Sequence, residues 1–394
     1  MKKIHIFAVW TAGILAALML CACSGRETER SGSLSGEPAT AEKRPDWNEM
    51  KPVSSLDLLY ADQFAVDYYD DGYSLITIAG EDRFLVVPED AGLPENLEDD
   101  IVILQQPLDN LYLVATSAMD FFRALDSIGH LALSGTDVDG WYIEEAKEAM
   151  ETGEMEYAGK YSAPDYEKIL EEDCDLAVES TMIYHTPEVQ EQLESFGIPV
   201  LVERSSYESH PLGRMEWIKL YGVLLDKEKE AEAYFNGRIR EVEDIMAQEN
   251  TGKTVAFFYI SSNGYVNVRK SGDYVSKMIQ LAGGQYIFQD LGDEENALST
   301  MNMQMESFYA QAKDADYLIY NSTIDGELQT LDDLLAKSEL LEEFKAVQNG
   351  NVWCTEKNLF QETTGLSVMI QDIHRMLTED NEELDKLTYM HRLK

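Results

Sequence analysis

Histidine is scarce in this chain: there are six, and no two stand four residues apart. That spacing would put two imidazoles on one helix face, so zinc capture through histidine is disfavoured. Cysteine is as rare, with four in all. Cys174 and Cys354 stand alone beside apolar runs, at no spacing that suggests a metal site. Each reads as a free buried thiol. Basic residues are outnumbered, 31 against 74 acidic, for a formal net charge of −43. So acidic a surface repels nucleic-acid phosphates and anionic lipid headgroups. We therefore expect no nucleic-acid partner and no membrane contact beyond an anchor. A Gly-x-Ser-x-Gly elbow, a His-Glu-x-x-His helix and a close His/Asp set are also missing, which counts against a hydrolase.

The apolar run from Ile6 to Leu20 is about 15 residues long, short of the ~20 that span a bilayer. It follows Met1-Lys2-Lys3, and a basic start with a short apolar core is the layout of a secretory signal peptide. The run ends in Leu20-Cys21-Ala22-Cys23-Ser24-Gly25. This resembles the lipobox of bacterial lipoproteins, with small Ala22 placed before Cys23. We expect residues 1–22 to be removed and Cys23 to carry lipid, a lipid anchor on the extracytoplasmic face of the cell membrane. Residues 23–50 read as a flexible tether, because they carry almost nothing apolar before Trp47.

What remains has the 44% apolar content of a globular protein and a length that favours two domains. Phe64–Tyr69 and Tyr73–Ile78 flank Asp70-Asp71-Gly72 as a hairpin, and Arg83–Val87 adds a strand. Short apolar strands then alternate with amphipathic helices: Leu111–Ala115, Asp175–Val178 and Ile198–Val202 among the strands, Pro164–Glu171 and the helix opened by Thr186-Pro187 among the helices. Such alternation argues for a parallel α/β layer. From Leu212 to Gln248 there is neither strand nor proline. An apolar helix there is followed by a second, capped by Asp226 and running from Lys227 to about Gln248, ~33 Å at 1.5 Å per residue. Strands resume at Thr254–Ile260, Tyr317–Tyr320 and Asn351–Cys354. The boundaries expected are a first lobe at 51–210 with a strand-rich start at 64–87, connecting helices at 211–249, a second lobe at 250–379, and a charged, fraying tail at 380–394.

Particular stretches now add up to a family likeness. They are Asp165-Tyr166-Glu167-Lys168-Ile169-Leu170 ahead of Cys174–Val178, Glu194–Val200, Pro211-Leu212-Gly213-Arg214, Gln280–Gly284 and Ala315–Tyr320. Their order and spacing, with the lipobox, resemble the ABC-transporter substrate-binding lipoproteins for iron complexes, siderophores and vitamin B12. The likeness covers roughly Leu111 to Leu377. It implies the class III periplasmic-binding-protein fold: α/β, two three-layer lobes with mainly parallel sheets joined by one long helix. It implies no enzyme and no resident cofactor. The chain would be a monomer holding an iron complex, haem or a corrinoid between its lobes, with an ABC permease dimer and its ATPase as partners. One glutamate per lobe would meet permease arginines, because carboxylate–guanidinium contacts are directional. Glu167 matches the first position, and Glu306 is the candidate for the second. Glu167 precedes Asp175 by eight residues and Glu306 precedes Asp316 by ten.

Ligand contacts are expected on loops at the carboxyl ends of parallel strands. There we place Ser117, Met119, Thr181, Tyr184, Arg204, Tyr207, Ser262, Tyr265 and Arg269, within stretches that include Thr116 and Asn321-Ser322-Thr323. Tyrosine, methionine and hydroxyls suit a large amphipathic ligand, and the arginines suit its carboxylates. His210 and Met119 are a further axial pair for haem, although His210 also stands where it would cap the next helix. A lipid-anchored surface sensor or adhesion module, or a surface hydrolase, is the alternative reading.

Overall fold

Apolar side chains alternate along Phe64–Tyr69 and Ser74–Ile78, and the two segments pair antiparallel around Asp70–Gly72, as a hairpin turn of that composition requires. The computed structural model describes residues 44–292, 300–379 and 384–394. The leader, Cys23 and the tether up to residue 43 lie outside the described residues.

The hairpin belongs to a first sheet of β1 (Pro52–Ser55), β2 (Phe64–Tyr69), β3 (Ser74–Ile78), β4 (Asp82–Val87) and β5 (Ile101–Gln105), in that order. Only the β4–β5 pair is parallel. Both faces are covered. Phe64, Val66, Ile76 and Phe84 join the main core, while Leu75, Leu85, Val87 and Ile101 pack with Trp47. Trp47 is therefore no part of a tether. It is buried, packs against Tyr69 with the ring centres 5.1 Å apart, and its amide donates to the Glu95 carbonyl.

The second sheet is wholly parallel. Its strands are β6 (Leu111–Leu113), β7 (Leu131–Ser134), β8 (Glu156–Tyr157), β11 (Leu176–Ser180) and β12 (Val200–Glu203), ordered β12-β11-β6-β7-β8; β9 (Gly159–Lys160) and β10 (Ala163–Pro164) form a separate ribbon. Along β11, Leu176 and Val178 face one core and Ala177 the other. On the first face lies α1 (Met119–Ala124). On the second lie Ile169 of α3 (Tyr166–Glu171) and Val189 and Leu193 of α4 (Pro187–Ser195). The helix α2 (Glu144–Thr152) follows β7. This is the expected three-layer lobe.

The middle is helical, in three pieces: α5 (Pro211–Glu216), α6 (Ile218–Leu224) and α7 (Glu228–Met246). Asp226 does not cap α7. It takes a left-handed φ of 55°, Lys227 stands at the N-cap, and the Lys227 ammonium donates to the carbonyls of Leu125 and Asp126. The helix is 19 residues long rather than 22, about 28 Å.

Two buried carboxylates fasten the first sheet to this linker. Glu216 accepts the backbone N–H groups of Leu59, Tyr60 and Ala61 at 2.7–3.0 Å and pairs with Lys219 at 2.8 Å. Glu208 accepts those of Asp62 and Gln63 and the Trp217 indole N–H. Gly213 is needed beneath them, since the Tyr60 carbonyl oxygen would stand 2.8 Å from a Cβ there.

The third sheet contains β13 (Thr254–Ile260), β14 (Val266–Arg269), β15 (Gln285–Tyr286), β16 (Thr300–Met303), β17 (Tyr317–Tyr320), β18 (Val352–Thr355) and β19 (Met390–Arg392). Its order is β16-β14-β13-β17-β18-β19 with β15 beside β13, and β13, β15, β17 and β18 are mutually parallel where they pair. Around it run α8 (Tyr274–Leu281), α9 (Met305–Ala312), α10 (Ser322–Asp325), α11 (Leu331–Leu335), α12 (Lys345–Gln348) and α13 (Leu366–Thr378). The tail does not fray. Residues 384–394 return to pair β19 with β18 and bury Leu384, Leu387, Tyr389, Met390 and Leu393. Cys174 and Cys354 are free and buried, as expected, and among the described residues no helix is long and apolar enough to cross a membrane.

Candidate functional site between the lobes

Parallel strands end on one edge of a sheet, and the loops leaving that edge in the two lobes meet. The Thr363 hydroxyl donates to the Ser117 carbonyl at 2.9 Å. Gln361 accepts the Tyr142 amide at 2.7 Å and donates to the Gly140 carbonyl at 2.8 Å. Asp120, buried beside Arg123, accepts both the amide and the hydroxyl of Thr364 at 2.7 Å. Burial pushes the Asp120 carboxyl pKa up, against the pull of Arg123 and Thr364.

A cavity of about 490 Å³ opens beside these contacts. The first lobe contributes Thr116, after β6, and Tyr142, after β7. The second contributes Ser322, Thr323, Ile324 and Gly326, after β17, and Lys357, Phe360 and Gln361, after β18. Tyr142 and Ile324 are exposed. The described lining holds hydroxyls, rings, an amide and one ammonium, with no imidazole, thiol or carboxylate. Among the described residues Lys357 has no ion-pair partner, notable in a chain this acidic.

The expected ligand residues divide. Arg204, Tyr184 and Tyr207 do come together: the guanidinium donates to the Tyr184 hydroxyl at 3.0 Å and lies 4.4 Å from the Tyr207 ring centre, with both rings exposed. Thr181 opens the turn after β11, half-buried. Ser262 and Tyr265 are exposed in the turn after β13. Ser117 stands next to Thr116 and meets Thr363. Met119 is a correction. It points into the core with no exposed surface, because α1 begins there and turns its first apolar residues inward. The Met119–His210 haem pair goes with it. His210 Nδ1 accepts the Leu212 amide as the cap of α5, the ring stacks on Tyr60 at 4.7 Å, and burial lowers its pKa to about 4. Arg269 ends β14 far from that strand's turn and faces Asp273 at 3.6 Å and the Phe257 ring.

Reasoning from sequence missed Tyr142, Ile324, Lys357, Phe360 and Gln361. The same strand-end rule reaches the last three through Asn351–Cys354. Tyr142 follows β7, whose Leu-Ala-Leu-Ser sequence carries no β-branched or aromatic residue to mark a strand.

Glu167 and Glu306 are both exposed and both second in their helices, α3 and α9. Each helix is followed by four residues ending in an aspartate, Asp175 or Asp316, and then by an interior strand of its sheet, β11 or β17. The aspartates do the same work. Asp175 accepts the Asn110 amide and Asp316 the Thr254 amide, each just before or at the start of the neighbouring strand. The two-residue difference in spacing is helix length: α3 has six residues and α9 eight.

Two α/β lobes that meet at their strand-end loops across a cleft, joined by helices, define a two-lobed solute-binding protein. The chain belongs to the periplasmic binding protein family, whose sequence model matches residues 122–359. It is similar to the uncharacterized lipoprotein MJ0878 of Methanocaldococcus jannaschii, 26% identical over 89% of this chain and 87% of that one. Among solved structures it is similar to a periplasmic heme binding protein of Pseudomonas aeruginosa (16% identity, TM-score 0.56, 73% of this chain and 98% of that one). It is also similar to the molybdate periplasmic binding protein MolA of Haemophilus influenzae (11%, TM-score 0.53, 68% and 86%). The first sheet precedes the residues that the family matches.

Proposed function

We propose that this chain is the substrate-binding component of an ABC importer, anchored by lipid on Cys23 at the extracytoplasmic face. It takes up an intact iron complex (siderophore or haem) or a corrinoid in the inter-lobe cleft and hands it to a permease. The observation that carries this is the chemistry of the cleft. A bare cation wants imidazole, thiolate or carboxylate ligands, and the described lining offers none. Hydroxyls, the Tyr142 and Phe360 rings and the unpaired Lys357 suit a ligand that brings its own chelating shell and carries negative charge. The solved proteins of like fold that bind heme and molybdate support the same class of role, and the lipoprotein relative supports the anchor. The matched positions of Glu167 and Glu306 support docking of one carboxylate per lobe on permease arginines.

Titration of the leader-free chain with ferric siderophores, haem and cobalamin, followed by tryptophan fluorescence, tests the proposal. Trp141 adjoins Tyr142 and reports on the cleft. One ligand class is expected to bind saturably, and Lys357→Gln is expected to weaken it about tenfold, the loss of one charge-assisted contact. No saturable response to any of the three overturns the reading.

A further inference from the structure

Glu327, Glu356 and His391 come from three separate segments: the loop after α10, the loop after β18, and β19. Their ligand atoms all lie within 4.8 Å of one another. We propose that they form a site for a divalent first-row cation, distinct from the cleft and bordering it, since Gly326 and Lys357 are their neighbours in the chain and line the cavity.

The argument rests on the imidazole. His391 Nε2 lies 2.7 Å from the Leu328 carbonyl oxygen. A carbonyl only accepts, so Nε2 carries the hydrogen. The other nitrogen, Nδ1, then turns towards the carboxylates and stands 3.0 Å from Glu356 Oε1. A metal-bound histidine is held in this way, with its second N–H on a carbonyl fixing the tautomer and the ring. A neutral ring would aim a lone pair at two carboxylates. An imidazolium would balance only one of them. A dication balances both and accepts the lone pair. One nitrogen and two carboxylate oxygens suit Zn²⁺ or Mn²⁺, with water completing the shell. Ligand atoms around one tetrahedral zinc stand roughly 3.4 Å apart, so small side-chain rotations gather this set. The side chains of His391 and Glu356 are only 14% and 20% exposed. Bound there, the ion staples the C-terminal strand to two loops of the cleft wall.

A chain of charge −43 gathers cations loosely, so stoichiometry decides. The leader-free chain is stripped with a chelator and titrated calorimetrically with zinc chloride and, separately, manganese chloride at about 0.15 M salt, where loose surface attraction is screened. Thermal melts run alongside. The expected result is one equivalent bound, a melting temperature raised by metal and returned by chelator, and loss of both effects in Glu327→Gln, Glu356→Gln and His391→Gln. Glu327→Gln leaves the His391–Glu356 pair intact, so it tests the site in a chain that folds. Many weak equivalents in place of one overturn the proposal. So does one equivalent that survives Glu327→Gln. A melt that follows pH through the imidazole range and ignores metal makes the cluster an ion pair only, and overturns it too.

Discussion

Glu179 is a residue on which folding imposes a burden. It is fully buried near the end of β11, and neither carboxylate oxygen has a partner among the described residues. Burial pushes its pKa up to about 8, with only the Ser180 amide pulling the other way. A carboxyl raised in the folded state disfavours folding once the unfolded chain ionises. The cost is absent well below pH 4.5, grows as pH rises, and is complete above about 8. Glu179→Gln keeps the shape and removes the titration. We expect the variant to gain on the wild type by about 3 kcal/mol between pH 5 and pH 8, read from urea unfolding at each pH; a gap independent of pH refutes this. At this scale the sequence was partly legible. The strand-end rule reached Thr116, Ser322 and Thr323 of the cavity and the Tyr184–Arg204–Tyr207 group. It failed at Met119, because position along a loop does not say which way the next helix turns its first residue. It could not single out Lys357, whose interest lies in having no ion-pair partner among the described residues.

Elements were legible where a period was long or a turn distinctive: the first hairpin, the strands β11, β12, β13 and β17, and the helical middle. β7 and β19 were not: Leu-Ala-Leu-Ser and Met-His-Arg carry no β-branched or aromatic residue, whereas β12 and β17, of four residues each, do. Composition misled at the C-terminus, where the charged run Glu379–Asp385 hides the apolar positions of Leu384, Leu387, Tyr389, Met390 and Leu393. These five buried side chains, at roughly 1.5–3 kcal/mol each, make the returning strand a structural member. Deleting residues 384–394 is expected to cost more than ~5 kcal/mol and to bare the edge of β18, seen as a lowered urea midpoint and concentration-dependent aggregation. An unchanged midpoint would show that β19 contributes nothing. The two extra residues between Glu306 and Asp316 are helix, α9 being two residues longer than α3.

For the whole molecule, the two-lobed α/β plan was legible because alternation of strand and helix stops at Leu212 and resumes at Thr254. The first sheet had no such reading, since it falls outside the pattern that the rest follows. The proposed docking assigns one exposed glutamate of each lobe, Glu167 and Glu306, to the permease. Glu167→Lys and Glu306→Lys are each expected to abolish uptake of ligand while leaving its binding constant unchanged, because both side chains are exposed and distant in sequence from every cavity residue. Uptake that survives both reversals refutes docking through them. The clamp of Glu208 and Glu216 on residues 59–63 bears on how the molecule is held. Three of the backbone amides end on Glu216 in α5 and two on Glu208 just ahead of it, so the first sheet and the linker move as one piece.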